Sequence, residues 1–140
     1  MSFKSPAEFR EVMDQVFTMM STDPEIGPRL READTPQRFE FPDLDMVATI
    51  GPSDGEGGEN LRWSWSEDDD LPVEVEMKMD SDVANRYFQG RENVAMAIAR
   101  RRIKTSGNVK EALTILPITK PVFARYRELC EAKYPHLIED

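Results

Sequence analysis

Side chains able to act as nucleophiles or metal ligands are scarce in this chain. Of its 140 residues one is cysteine, Cys130, and one is histidine, His136. A lone thiol makes no internal disulfide, and neither residue stands in the spacing of a zinc site or a Cys–His pair. His136, beside Pro135, reads as a solvated residue. Carboxylates are abundant, 27 in all. Glu74 and Glu76 share one face of an extended run, an arrangement in which two acids can share a proton. A strand with one wet face gives the same spacing and leaves both ionised. Asp80 suits a helix cap better than a base. The run Glu67-Asp68-Asp69-Asp70 lacks the loop spacing and terminal glutamate of a calcium hand, so it reads as a solvated turn. The glycine-rich stretch Gly51–Glu59 lacks the lysine and the following helix of a phosphate cradle. There is no Gly-x-Ser-x-Gly elbow and no pair of histidines. The expectation is a protein that is not an enzyme and needs no metal or cofactor.

Two other features can meet a ligand. Arg100, Arg101, Arg102 and Lys104 gather charge that suits a phosphate or carboxylate headgroup, or equally a solvated helix end favoured by its dipole. Eight methionines bring flexible apolar side chains that repack around varied occupants, or simply fill a core. The formal charge of −9 repels phosphate backbones and anionic bilayers at long range, so nucleic acid is not an expected partner. No apolar run approaches the ~18 residues needed to span a bilayer. The first residues lack the regions of a signal peptide, and Leu137-Ile138-Glu139-Asp140 is not a peroxisomal address. A cytoplasmic protein without stable membrane insertion is expected.

These residues need elements to position them. Ser5-Pro6-Ala7-Glu8 begins a helix with a capping pattern, and Phe9, Val12, Met13, Val16, Phe17 and Met20 recur on one face of it. Asp23-Pro24 opens a shorter helix with Ile26 and Leu30 inward, ending before Thr35-Pro36. Four alternating runs follow. Phe39 and Phe41 lead the first; Leu44, Met46, Ala48 and Ile50 the second; Leu61, Trp63 and Trp65 the third; Val73, Val75, Met77 and Met79 the fourth. Gly51–Glu59 is then a hairpin connection. Asp80 and Ser81 cap a short helix that Gly90 can close in a left-handed turn, and Asn93 caps a second one, Val94–Ala99. Ile103–Ser106 is a short strand, and Gly107-Asn108 leads into a helix from Val109. Pro117 and Pro121 interrupt it, and a last helix starting at Pro121 is either a lid or a fixed packing element. Half-polar strands covered by helices on one face make an α+β two-layer domain spanning residues 1–140, with about five mainly antiparallel strands.

The order of these elements resembles the sterol-carrier-protein (type two) family of lipid-binding domains. The matching stretches are Val73–Asp80 (VEVEMKMD), Tyr87–Gly90 (YFQG), Glu92–Asn108 (ENVAMAIARRRIKTSGN) and Val109–Leu116 (VKEALTIL). Where many members carry a glycine just before the last strand, this chain has Arg101. It is also acidic where well-known animal carriers are basic. The resemblance implies a cavity between sheet and helices that holds a sterol, fatty acid or acyl-CoA without making or breaking a bond. Expected ligand contacts are Met77, Met79, Phe88, Met96, Ile98, Ile103, Leu113, Leu116 and Phe123, with Arg100, Arg101 and Arg102 at a headgroup. Two rivals stand beside this reading. One is an accessory module that binds a protein or forms a homodimer, favoured by an exposed strand face bearing Trp63 and Trp65. The other is an enzyme of lipid or steroid metabolism, which needs a buried carboxylate facing the cavity.

Overall fold

Apolar alternation with period two builds the sheet. The computed structural model describes residues 2–66 and 72–138, and the acidic run Glu67–Asp70 lies outside them. Strands β1 (Gln37–Phe41), β2 (Met46–Pro52), β3 (Leu61–Ser64), β4 (Val75–Met79) and β5 (Ile103–Gly107) form one sheet in the order β3-β2-β1-β4-β5. Antiparallel pairing joins β1 to β2, β2 to β3 and β4 to β5, whereas β1 and β4 run parallel. The expected mainly antiparallel sheet is therefore mixed at its centre, because β4 adds beside β1 rather than beside β3. Gly107 turns β5 into the next helix with φ of 84°; a Cβ there would lie 2.3 Å from the Glu74 carbonyl oxygen, so only glycine fits.

Among the described residues six α-helices accompany the sheet: α1 (Pro6–Thr22), α2 (Ile26–Ala33), α3 (Ser81–Phe88), α4 (Val94–Ala99), α5 (Val109–Thr119) and α6 (Val122–Lys133). The α1 stripe of Phe9, Val12, Met13, Val16, Phe17 and Met20 is buried throughout. The wet side of β4 carries exposed Glu76 and Lys78 while Val75, Met77 and Met79 are buried. Ser5 caps α1 by accepting from the Glu8 amide, Asn93 caps α4 through the Met96 amide, and Asn108 caps α5 through the Glu111 amide. None of the described helices is long and apolar enough to cross a membrane.

Three local expectations change. Helix α5 runs through Pro117 to Thr119. Leu113 and Pro117 are both exposed, so water can take the carbonyl that the missing proline N–H leaves free. Asp80 occupies the cap position of α3 without a side-chain bond. Asp43, from the β1–β2 turn, does that work instead: its carboxylate accepts from the Ser81 amide at 2.9 Å and the Ser81 hydroxyl at 2.6 Å. His136 is not a free solvated residue, since its Nε2 lies 2.8 Å from Glu8 Oε1. The apolar face read for Leu61, Trp63 and Trp65 is turned toward α1. Both indole N–H groups donate to Asp14 Oδ1, at 3.0 and 2.8 Å, and their rings meet Phe17.

The last helix packs into the core. Val122, Tyr126 and Cys130 are fully buried, and burial pushes the Cys130 thiol pKa up, which keeps it inert. Asn85, also fully buried, accepts from the Tyr126 hydroxyl at 2.7 Å and donates to the Leu137 carbonyl at 2.9 Å. Gln89 donates to the same carbonyl and to Asn85. Arg127 of α6 donates to the Gln89 side chain at 3.1 Å, and together these bonds tie α6 and the segment after it to α3.

Two outcomes follow. Met77→Glu should destabilise by about 3–5 kcal/mol in urea titrations, because it buries an unpaired charge. Lys78→Glu should change stability by less than about 1 kcal/mol, since it turns a lysine opposite Lys104 into an opposite-charge pair while losing Glu40. Glu92, whose side chain is 4% exposed, bridges Arg86 at 2.8 Å and Arg102 at 2.9 Å. Burial raises its pKa, but the hydrogen bonds and charges of the two arginines outweigh that and hold it below the ordinary 4.5. The bridge's contribution is thus complete above that value and is lost as pH falls through the lower folded one. Glu92→Gln should cost about 1–2 kcal/mol at neutral pH and flatten acid unfolding between about pH 5 and 3.

Candidate functional site: an apolar cavity between sheet and helices

The covered sheet face is not filled everywhere. A cavity of about 120 Å³ lies between it and the helices. Its floor is central: Phe39 and Phe41 from β1, Ile50 from β2, Met77 and Met79 from β4, and Ile103 from β5. Register explains the grouping, since Phe39 pairs with Met77 on one side and Ala48 on the other, and Met79 pairs with Ile103. The walls come from Met13, Phe17 and Met20 of α1, Leu30 of α2, Tyr87 and Phe88 of α3, and Ile115 and Leu116 of α5. Four of the lining residues are methionines.

Polar groups at the cavity are few and uncharged. Gln37 contributes an amide, and the Thr35 hydroxyl is spent on the Ala33 carbonyl at 3.0 Å. Tyr87 and Thr119 hold each other at 2.6 Å, and burial pushes the Tyr87 phenol pKa up, so it stays neutral. No carboxylate, histidine, cysteine, lysine or arginine is among the described residues lining the cavity. Such a surface can exclude water and hold an apolar body, with an amide and hydroxyls to meet a neutral polar end.

Of the residues expected at a ligand, Met77, Met79, Phe88, Ile103 and Leu116 come together at this cavity. Phe123 sits behind the wall, its ring edge-on to Tyr87 at 5.2 Å. Ile98 is half-buried elsewhere, while Met96 and Leu113 are 43% and 41% exposed. Arg100, Arg101 and Arg102 stand at the end of α4, outside the cavity. The α1 and α2 residues were legible as buried faces, but periodicity does not say which buried faces enclose a void. Ile115 and Gln37 line it as well, and alternation along β1 puts Gln37 on the same face as Phe39 and Phe41.

The nearest volume comparison is an engineered cavity of ~150 Å³ that holds benzene, well below the ~300–1,000 Å³ of pockets for larger ligands. A long ligand must therefore displace side chains. Met13, Met20, Met77 and Met79 can move at small cost because each has three rotatable side-chain bonds.

No family model matches the sequence, and neither does any of the curated proteins compared with it. Solved structures do match. The UbiJ-SCP2 ubiquinone synthesis protein aligns with a TM-score of 0.59 at 10% identity, covering 87% of this chain and 95% of that one. Sterol carrier protein 2 from Yarrowia lipolytica, in its apo form, aligns with a TM-score of 0.59 at 14% identity, over 79% of this chain and 88% of that one. The inverting sec-alkylsulfatase Pisa1 from Pseudomonas sp. aligns with a TM-score of 0.59 at 13% identity; 73% of this chain matches only 15% of that much longer one. Likeness at such identities is a likeness of backbone, and with helices covering one face of a five-stranded sheet in this order the chain has the sterol-carrier-protein fold.

Proposed function

We propose that the chain is a non-catalytic carrier of an apolar or weakly amphipathic small molecule, held between the sheet and α1, α2, α3 and α5. The observation that carries this reading is the cavity itself: apolar, without a charged side chain among the described residues that line it, and bordered by four methionines. The fold it shares with sterol carrier protein 2 from Yarrowia lipolytica supports the same ligand class. Contacts assigned to the ligand are Met77, Met79, Phe88, Ile103 and Leu116, joined by Phe39 and Ile115. Selection is by volume and shape, so sterols, fatty acids and their neutral derivatives all remain within the class. Each buried methylene contributes ~0.8 kcal/mol, so about ten of them match the ~8 kcal/mol of micromolar affinity before the cost of association and repacking is met.

The enzyme alternative, which the partial match to the alkylsulfatase raises, required a carboxylate facing the cavity; the lining gives it no support. The accessory-module alternative rested on an exposed Trp63–Trp65 face, and those rings lie against α1.

The test is uptake of a fluorescent long-chain alcohol, with native mass spectrometry of the purified protein for co-purifying lipid. Ile115→Trp fills the void from α5 and should weaken uptake at least tenfold, at a packing cost of about 1–3 kcal/mol in stability. Leu113→Trp, on the exposed side of the same helix, should leave uptake unchanged. Equal uptake by both variants, or none by the natural chain, would reject the carrier reading.

A further inference from the structure

The hydroxyls in the cavity lining have the direction of their hydrogens fixed. Thr35 donates to the Ala33 carbonyl at 3.0 Å. Tyr87, in α3, and Thr119, the last residue of α5, both line the cavity with their oxygens 2.6 Å apart. The Thr119 hydroxyl also lies 2.8 Å from the Leu116 carbonyl in its own helix. Two hydrogens are thus shared among three oxygens, of which the carbonyl can only accept. Both bonds form in one arrangement alone: Tyr87 donates to Thr119, and Thr119 donates to Leu116. The reverse order forfeits the bond to Leu116 and leaves the Tyr87 hydrogen without an acceptor among the described residues.

The packing holds this arrangement. The Tyr87 ring makes T-shaped contacts with Phe88 at 5.0 Å and Phe123 at 5.2 Å, so its hydroxyl cannot swing away without breaking them. Thr119 and Thr35 are buried, whereas Tyr87 is half-buried. In a chain of two bonds each bond polarises the next, which makes the oxygen at the donating end, Tyr87 Oη, the better acceptor. What these hydroxyls have left for the cavity is lone pairs and no hydrogen. Gln37 differs: its amide makes no side-chain hydrogen bond among the described residues and can donate as well as accept.

We propose that Tyr87 Oη sets the selectivity of the cavity by accepting a hydrogen bond from a ligand whose polar end is a neutral hydroxyl. This rests on the carrier reading and narrows it from apolar molecules in general to those that can donate. A ketone, an ester or an ether has no hydrogen to give, and brings its oxygen against the lone pairs of Tyr87 and Thr119. An ionised carboxylate meets the same conflict with a full charge, and no cation among the described lining residues offsets it. In a lining without an acceptor the order reverses, because a hydroxyl loses more on leaving water than an ether oxygen does.

Calorimetric titration of the full chain with decanol, methyl nonyl ether and methyl octyl ketone, matched in heavy atoms, reads this selectivity. Decanol should bind about three- to tenfold tighter than either of the others, the range that one hydrogen bond supplies. Thr119→Val keeps the shape of the wall and removes the partner of the Tyr87 hydrogen, which is then free for a ligand acceptor. The ketone should gain about three- to tenfold in that variant and close the gap with decanol. The double variant Tyr87→Phe/Thr119→Val has neither hydroxyl and should bind the ether at least as tightly as decanol. Equal or reversed affinities in the natural chain would overturn the proposal, and that comparison needs no variant to fold. So would a ketone affinity unmoved by Thr119→Val. An alcohol preference that survives the double variant would move the selectivity to Thr35 or Gln37 and overturn it as well. Failure of all three ligands to bind the natural chain would instead strike the carrier reading, and this inference with it.

Discussion

Keeping the inner face of β1 away from water is the constraint on which the rest depends. The strand is central, paired on both edges, and presents Gln37, Phe39 and Phe41 to the covered side. Phe41 is buried against Phe9 with ring centroids 4.6 Å apart, whereas Phe39, one pleat along, is left half-exposed at the cavity. Both rings line the cavity, Phe41 with its other side packed into the core. Helix α1 closes the solid side, and its angle is set by Asp14, which takes both indole N–H groups of Trp63 and Trp65. An aspartate that accepts two such bonds fixes the helix to the sheet without filling the space beyond it.

The walls differ in kind. On the α3–α6 side, Asn85 and Gln89 bond one another, Tyr126, Arg127 and the Leu137 carbonyl, so movement there breaks bonds to buried polar groups. On the α1 and β4 side the lining is Met13, Met20, Met77 and Met79, whose rearrangement breaks no hydrogen bond. Any repacking of the cavity therefore falls first on the methionines; α2 and α5, which both line it, also contact each other. The C-terminal helix, separated from α5 by a proline, is part of the rigid side.

Much of this was legible in the residues. Strand faces, the α1 stripe, the caps at Ser5, Asn93 and Asn108, and the turn at Gly107 all depend on neighbours within a few positions, where chemistry and spacing decide the outcome. What was not legible depends on distant partners. Asp43 caps α3 from 38 residues away, and Glu8 takes up His136 from the other end of the chain. The void belongs to this second class, since Met96 and Leu113 are as apolar as Met77 and Leu116, yet the former pair faces solvent. Arg101 lies between the classes. A glycine position was recognisable from the resemblance, while its left-handed φ became visible only in three dimensions.

The parallel pairing at the sheet's centre bears on how the chain finds its fold. β2 reaches β1 through a short turn, with Phe41 opposite Met46, but β4 must come back from Val75 to lie beside Gln37. Loop closure over that span precedes any return from burying Met77 against Phe39. The half of the sheet made by β1–β3 can collapse locally, and the half made by β4 and β5 can do likewise. Until they dock, each half exposes the edge on which the other belongs, and the surface that becomes the floor of the cavity is the last to be sheltered.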